Sequence, residues 1–131
     1  MAKDGRDYWL VPPELYQQLD GEFHFDFDPC PFPRAEWDGL SIPWGRSNFV
    51  NPPFLKKDGG ISAWLRKAMM EYQRGNTVVL LLPCHKTMSE VLSTAEIRNL
   101  GRVKWGATDG SGKSKSMDHT LAAILRPRTV A

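Results

Sequence analysis

The stretch that most limits this chain is Thr77-Val78-Val79-Leu80-Leu81-Leu82-Pro83. It is uncharged, β-branched at its front and too short for an ordinary helix, so it reads as a strand buried on both faces. Its flanks supply cover. Upstream, Ile61, Trp64, Leu65, Ala68, Met69 and Tyr72 recur at helical spacing and form one apolar stripe, which Gly75-Asn76 ends. Downstream, Thr87-Met88-Ser89-Glu90 has the form of a capping box. It predicts a helix with Met88, Val91, Leu92 and Ala95 inward.

A second strand is read at Ser47-Asn48-Phe49-Val50 and stops at Asn51-Pro52-Pro53-Phe54. The prolines cannot donate ladder hydrogen bonds, and Pro52 biases Asn51 towards extended geometry. An amide side chain, two carbonyls and an aromatic ring therefore converge at a strand's carboxyl end, where open α/β sheets bind ligands. The Asn51 amide oxygen and the Pro52 carbonyl could accept the two hydrogens of an exocyclic amine, with Phe54 stacked on the attached ring. Two such acceptors would favour the pyramidal, nucleophilic form of an aromatic amine. Taken alone, the same tetrapeptide also suits a plain strand-terminating turn.

The remaining elements are read by the same rules. Pro12-Pro13 opens a short helix that ends near Asp20-Gly21, with Leu15 and Leu19 facing the core. Phe23-His24-Phe25-Asp26-Phe27-Asp28 alternates strictly and predicts a strand whose tip carries the Asp28 carboxylate. Residues 31–45 are proline-rich and irregular, with Asp38-Gly39-Leu40 as a turn. Strands are expected at Arg102–Trp105 and Leu121–Leu125, paired as an antiparallel hairpin across a long basic loop, residues 106–119. The alternation of elements predicts an α/β fold with a mostly parallel sheet and a C-terminal antiparallel hairpin.

At 131 residues the chain is expected to be one domain, 1–131, with 1–7 as an N-terminal tail. Hydrophobic content of 41% and charged content of 24% are those of a globular protein, and no apolar run has membrane-spanning length. The N-terminus is not a signal peptide, so a cytoplasmic location is the expectation. Cys30 and Cys84 form neither a disulfide framework nor a zinc spacing, and no metal site is expected. A net charge of +2 is too small to imply a nucleic-acid partner by itself. Its distribution is more informative: Arg98, Arg102, Lys104, Lys113, Lys115, Arg126 and Arg128 bias the last third, which suits either a phosphate-facing surface or a solvated rim.

With these residues in hand, the chain resembles the phage-type DNA N6-adenine methyltransferases, which use S-adenosylmethionine. Four landmarks occur in that family's order: Trp9-Leu10-Val11-Pro12-Pro13-Glu14-Leu15, Phe27-Asp28-Pro29-Cys30, Asp38-Gly39-Leu40 with Trp44, and Asn51-Pro52-Pro53-Phe54. Val78–Pro83 and Gly101-Arg102-Val103 continue the match, and the Asn-Pro-Pro-Phe box is its specific part. The resemblance implies a trimmed Rossmann-like class I methyltransferase sheet with the cofactor above its first strand. It implies that Asn51, Pro52, Pro53 and Phe54 form the catalytic box. Tyr8, Trp9 and Val11 would lie near the methionine part of the cofactor, Asp28, Pro29 and Cys30 at the cofactor-binding strand end, and Asp38 and Leu40 near the adenosine part, with Asn51 touching the cofactor as well as the target amine.

A target base inside a duplex must be flipped out. Lys56 and Lys57, with Arg102, Lys104, Lys113 and Lys115, would contact the nucleic acid, and the host cytoplasm would be the location if the chain is phage-encoded. The chain departs from the family's pattern in having no Gly-x-Gly loop after Asp28, no clear acidic ribose ligand unless Glu36 or Asp38 substitutes, and Val11 where relatives often carry threonine. A trimmed sheet leaves its first strand near an edge, which invites a homodimer. Two other readings stay open: methylation of RNA adenine or protein glutamine, and a non-catalytic nucleic-acid binder.

Overall fold

The computed structural model describes residues 9–31, 33, 35–52, 60–83, 89, 91–107, 114–116 and 119–127. Among them are two helices, α1 (Pro13–Phe23) and α2 (Gly60–Gln73), and seven strands. The strands are β1 (Trp9–Leu10), β2 (Ser47–Val50), β3 (Thr77–Pro83), β4 (Glu96–Asn99), β5 (Lys104–Ala107), β6 (Ser114–Ser116) and β7 (Thr120–Leu125). The main sheet has the order β2-β3-β7-β4, and a smaller one the order β1-β5-β6. The fold is thus α/β with a mixed sheet rather than a mostly parallel one. β2 and β3 run parallel, whereas β7 runs antiparallel to both β3 and β4. None of the described helices is long and apolar enough to cross a membrane.

The apolar run at β3 is central, as expected of a strand with no polar face. Alternate residues feed two cores. Val78, Leu80 and Leu82 meet Val50, Ala123, Leu125 and the α2 residues Trp64, Leu65 and Ala68 on one face. Val79 and Leu81 meet Phe49, Ala122, Ile124, the α1 residues Leu19 and Phe23, and Trp105 of β5 on the other. One helix therefore covers each face, and the small sheet helps to seal the α1 side.

Four further expectations are corrected. The alternating segment at 23–28 is not a strand: Phe23 ends α1, and His24 takes a left-handed conformation (φ 51°) as its C-cap. Only one parallel bridge, Phe27 with Asn48, remains. Phe25 packs on the α1 side and Phe27 on the α2 side, so the period-two pattern does not mark one face. The helix expected from the capping box is also missing among the described residues. A single turn closes on Val91, Leu92 is 56% exposed, and β4 follows. Thr87, Met88 and Glu90 lie outside the described residues.

The third correction concerns the C-terminal hairpin. β5 pairs with β1 and β6, not with β7, and β6 lies within the expected loop. β7, almost wholly apolar, takes the interior position between β3 and β4, while β5 exposes Lys104 and belongs to a one-sided sheet. Finally, α1 continues past Gly21 to bury Phe23.

α2 carries one device that its apolar stripe conceals. Glu71 is fully buried and accepts from Lys67 (2.8 Å), Arg74 (3.1 Å) and the Asn76 amide (2.9 Å). Burial alone would raise its pKa. The Lys67 and Asn76 hydrogen bonds and the Trp44 N–H outweigh that and hold it below its ordinary value of 4.5. Its stabilisation is complete above about pH 4.5 and disappears as pH falls through the lowered folded value. Denaturant midpoints followed from neutral to acid pH should fall below that point in the wild type and change less in Glu71→Gln. Glu71→Ala, which leaves the Lys67 ammonium buried without its partner, should cost about 3–5 kcal/mol in the same measurement.

Candidate functional site

The site is built where two chain segments end side by side. The segment at 26–28 runs along β2 through two backbone hydrogen bonds, Asp26 N–H to the Ser47 carbonyl (2.9 Å) and Phe49 N–H to the Phe27 carbonyl (3.1 Å). The Asp26 carboxylate accepts the Ser47 N–H at 3.1 Å, and the buried Asn48 amide links Gly45 to the Thr77 carbonyl at the foot of β3. This register brings Asp28 and Asn51 to the same end of the sheet.

Beyond the bridge, Asp28 Oδ1 accepts the Cys30 N–H at 3.0 Å, folding Asp28-Pro29-Cys30 into a tight Asx turn. The Cys30 thiol then donates to the Asn51 carbonyl at 3.0 Å. Asn51 is 4% exposed and Pro52 is also buried. One residue thus connects the Asp28 carboxylate to the peptide that joins Asn51 to Pro52.

A second Asx turn packs against the first. Asp38 Oδ1 accepts the Leu40 N–H at 3.0 Å, and Oδ2 accepts the Ser41 hydroxyl at 2.8 Å. A Cβ at Gly39 would stand 1.9 Å from the Pro29 carbonyl oxygen and 3.0 Å from the Trp64 ring, so only glycine lets the two turns touch. Trp44 Nε1–H holds the Gly39 carbonyl at 2.7 Å, and Trp44 stacks on Trp64 with centroids 6.2 Å apart.

Asp28 carries the clearest electrostatic signal. Burial pushes its pKa up from 3.8 to about 6, and the Cys30 N–H offsets this only in part. A half-buried carboxylate so disfavoured as an anion is suited to a ligand bearing positive charge or hydroxyl donors. Tyr16 lies within its field: burial first, then the carboxylates of Asp20 and Asp28, raise the phenol's pKa. Tyr16 meets Phe49 edge-on at 4.9 Å.

The structure therefore gathers Asp28, Pro29, Cys30, Asp38, Leu40, Asn51 and Pro52 at one end of the sheet. Val11 packs on the α1-side core, and the Trp9 backbone pairs with Ala107 in the small sheet. Trp37 meets Phe27 in a tilted ring contact, centroids 5.4 Å apart. Tyr8, Pro53, Phe54, Lys56, Lys57 and Lys113 lie outside the described residues. Arg102 and Lys104 are exposed; Lys104 stands opposite Ser116, and Lys115 opposite Trp105, in the β5–β6 ladder.

The C-terminal basic bias is partly consumed internally. Arg98 grips Glu22 through two bonds (2.6 and 2.7 Å), Arg126 reaches the same carboxylate at 3.4 Å, and both guanidinium groups lie over the Phe23 ring. These arginines fasten α1 to the β7–β4 edge.

Three site residues escaped the sequence reading: Gly39, Asn48 and Tyr16. Gly39 had only a turn signal. Asn48 resembled an ordinary strand position. Tyr16 stood on the inward stripe of α1 with Leu19 and Phe23, where a polar aromatic is the available clue. Comparison with protein-family models, curated proteins and solved structures gives no match.

The Asp28 environment has a measurable consequence. Because its folded pKa is raised, its contribution to stability is fully present below about pH 3.8 and is lost as pH rises through about 6. Asp28→Asn should therefore stabilise the protein at pH 8 by up to about 3 kcal/mol and remove that slope, as read by denaturant unfolding at several pH values.

Proposed function

We propose that this protein is an S-adenosylmethionine-dependent methyltransferase that acts on the N6 amine of adenine in DNA, on a trimmed Rossmann-like sheet. The observation that carries this reading is the hydrogen-bonded path from the Asp28 carboxylate through Cys30 to the Asn51–Pro52 peptide. It supports a donor pocket and an acceptor corner built as one unit. The neighbouring Asp38-Gly39-Leu40 turn, packed on Pro29, suits the adenosine end of the donor.

In this reading Asp28 receives donors of the cofactor, and Asn51 with the Pro52 carbonyl accepts the two N6 hydrogens of a flipped adenine. The N6 lone pair attacks the methyl carbon as the carbon–sulfur bond breaks. That bonding pair stays on sulfur, giving neutral S-adenosylhomocysteine, and the methylated nitrogen sheds one proton to solvent. The leaving group is already activated by its positive charge. The protein's contribution is alignment and stabilisation of charge developing on nitrogen. The Cys30 thiol, held on the Asn51 carbonyl, keeps that peptide from turning away.

Nucleosides from the DNA of an expressing host should contain N6-methyladenine by mass with the wild type and lose it with Asn51→Ala, while Asn51→Ala still unfolds cooperatively. Undiminished N6-methyladenine in that variant would overturn the assignment.

A further inference from the structure

We infer that a single strand of the DNA substrate is held along the outer face of α2, with its phosphates on Arg66 and Arg74. The inference rests on the DNA-methylation reading and names a surface that the basic C-terminal third does not supply.

A groove of about 490 Å³ lies between the loop at 40–43 and α2. Leu40, Ile42 and Pro43 form one wall, and Arg66, Met70 and Arg74 line the other. Arg66 and Met70 of α2 and Arg74, one residue past its end but with its N–H still bonded to the Met70 carbonyl at 3.1 Å, recur every four positions and line one side. At the helical rise Arg66 and Arg74 are about 12 Å apart along the axis, enough to meet non-adjacent phosphates of one strand.

The charged residues of the groove are Arg66, Lys67 and Arg74, all cationic. Lys67 is buried against Glu71, and its ammonium lies 5.6 Å from the Trp44 ring centre, so its charge is absorbed. Arg74 shares that carboxylate yet leaves 54% of its side chain exposed. Arg66 is exposed and makes no ion pair with a described residue. Three cations over one carboxylate leave the groove net positive. Met70, 48% exposed, places an apolar side chain between the two arginines. An occupant with regularly spaced anions and apolar faces between them matches this pattern, and a nucleic-acid strand has both.

Topology gives the direction. α2 connects β2 to the parallel strand β3, so it runs back from the end of the sheet that carries Asn51. Leu40 belongs to both the second Asx turn and the groove wall. A strand whose adenine enters the Asn51 corner would therefore lay its flanking phosphates along this stripe.

The test is fluorescence anisotropy of a labelled adenine-containing oligonucleotide over a salt series, with calorimetry of S-adenosylhomocysteine as the control. Arg66→Glu, at an exposed position, should weaken DNA binding about tenfold and flatten the dependence of log K on log salt by about one. Cofactor affinity should not move. Wild-type DNA affinity in Arg66→Glu, with methyl transfer intact in the wild type, overturns the groove and leaves the enzymatic reading standing. A changed oligomeric state with unchanged DNA affinity also overturns it, making the groove a protein interface. Arg66-dependent DNA binding by a protein that transfers no methyl group supports the groove and removes the enzyme.

Discussion

The site depends on one short piece of backbone pairing. Two hydrogen bonds between residues 26–27 and β2 fix how far each chain runs before it turns. A slip of two residues along β2 would displace Asp28 from Asn51 by roughly 7 Å. Asp26 is what prevents the slip: its carboxylate accepts backbone N–H groups from Arg46 and Ser47, and Gly45 sits too close to Asp26 and Phe27 to admit a side chain. A segment with one ladder bridge is thus registered by a carboxylate and a glycine. The thiol bond from Cys30 to Asn51 then closes the corner.

Much of the framework was legible from apolar patterning. β3, β2, α2 and β7 announce themselves because burial on one or both faces leaves a period in the sequence. The failures share a physical cause. At 23–28 the alternation is real, but His24 turns the chain out of α1, and the aromatic rings divide between two cores. At 91–99, where the helix was expected to continue, the chain instead turns and enters β4, which supplies the edge partner of β7. Strand pairing is a long-range property, and the hairpin expected between neighbouring strands yielded to the need to bury the apolar β7 in the middle. At the site, Asp28 and Asn51 were readable as strand-end polar groups. Gly39 was not, because its role is a close approach to Pro29 from a distant turn.

Charge tells a similar story. A list of cations by position favours the last third of the chain as the polar partner's surface. In three dimensions Arg98 and Arg126 are spent on Glu22 and Phe23, holding α1 against the sheet edge. The buried Glu71 likewise absorbs Lys67 beneath α2. Among the described residues Arg46, Arg102 and Lys104 stay exposed, and so do Arg66 of α2 and much of Arg74 just past that helix. Asp28 stands apart from these networks, a carboxylate whose pKa burial raises from 3.8 to about 6.

The most direct measurement is a backbone-amide NMR titration with S-adenosylhomocysteine. The account predicts saturable shifts at Cys30, Leu40 and Asn51, with Arg98 on the edge strand β4 and Leu125 beside Val78 at the opposite end of the sheet unmoved. Shifts that avoid this corner, or none at millimolar ligand, would contradict the claim that the joined strand tips form a methyl-donor pocket.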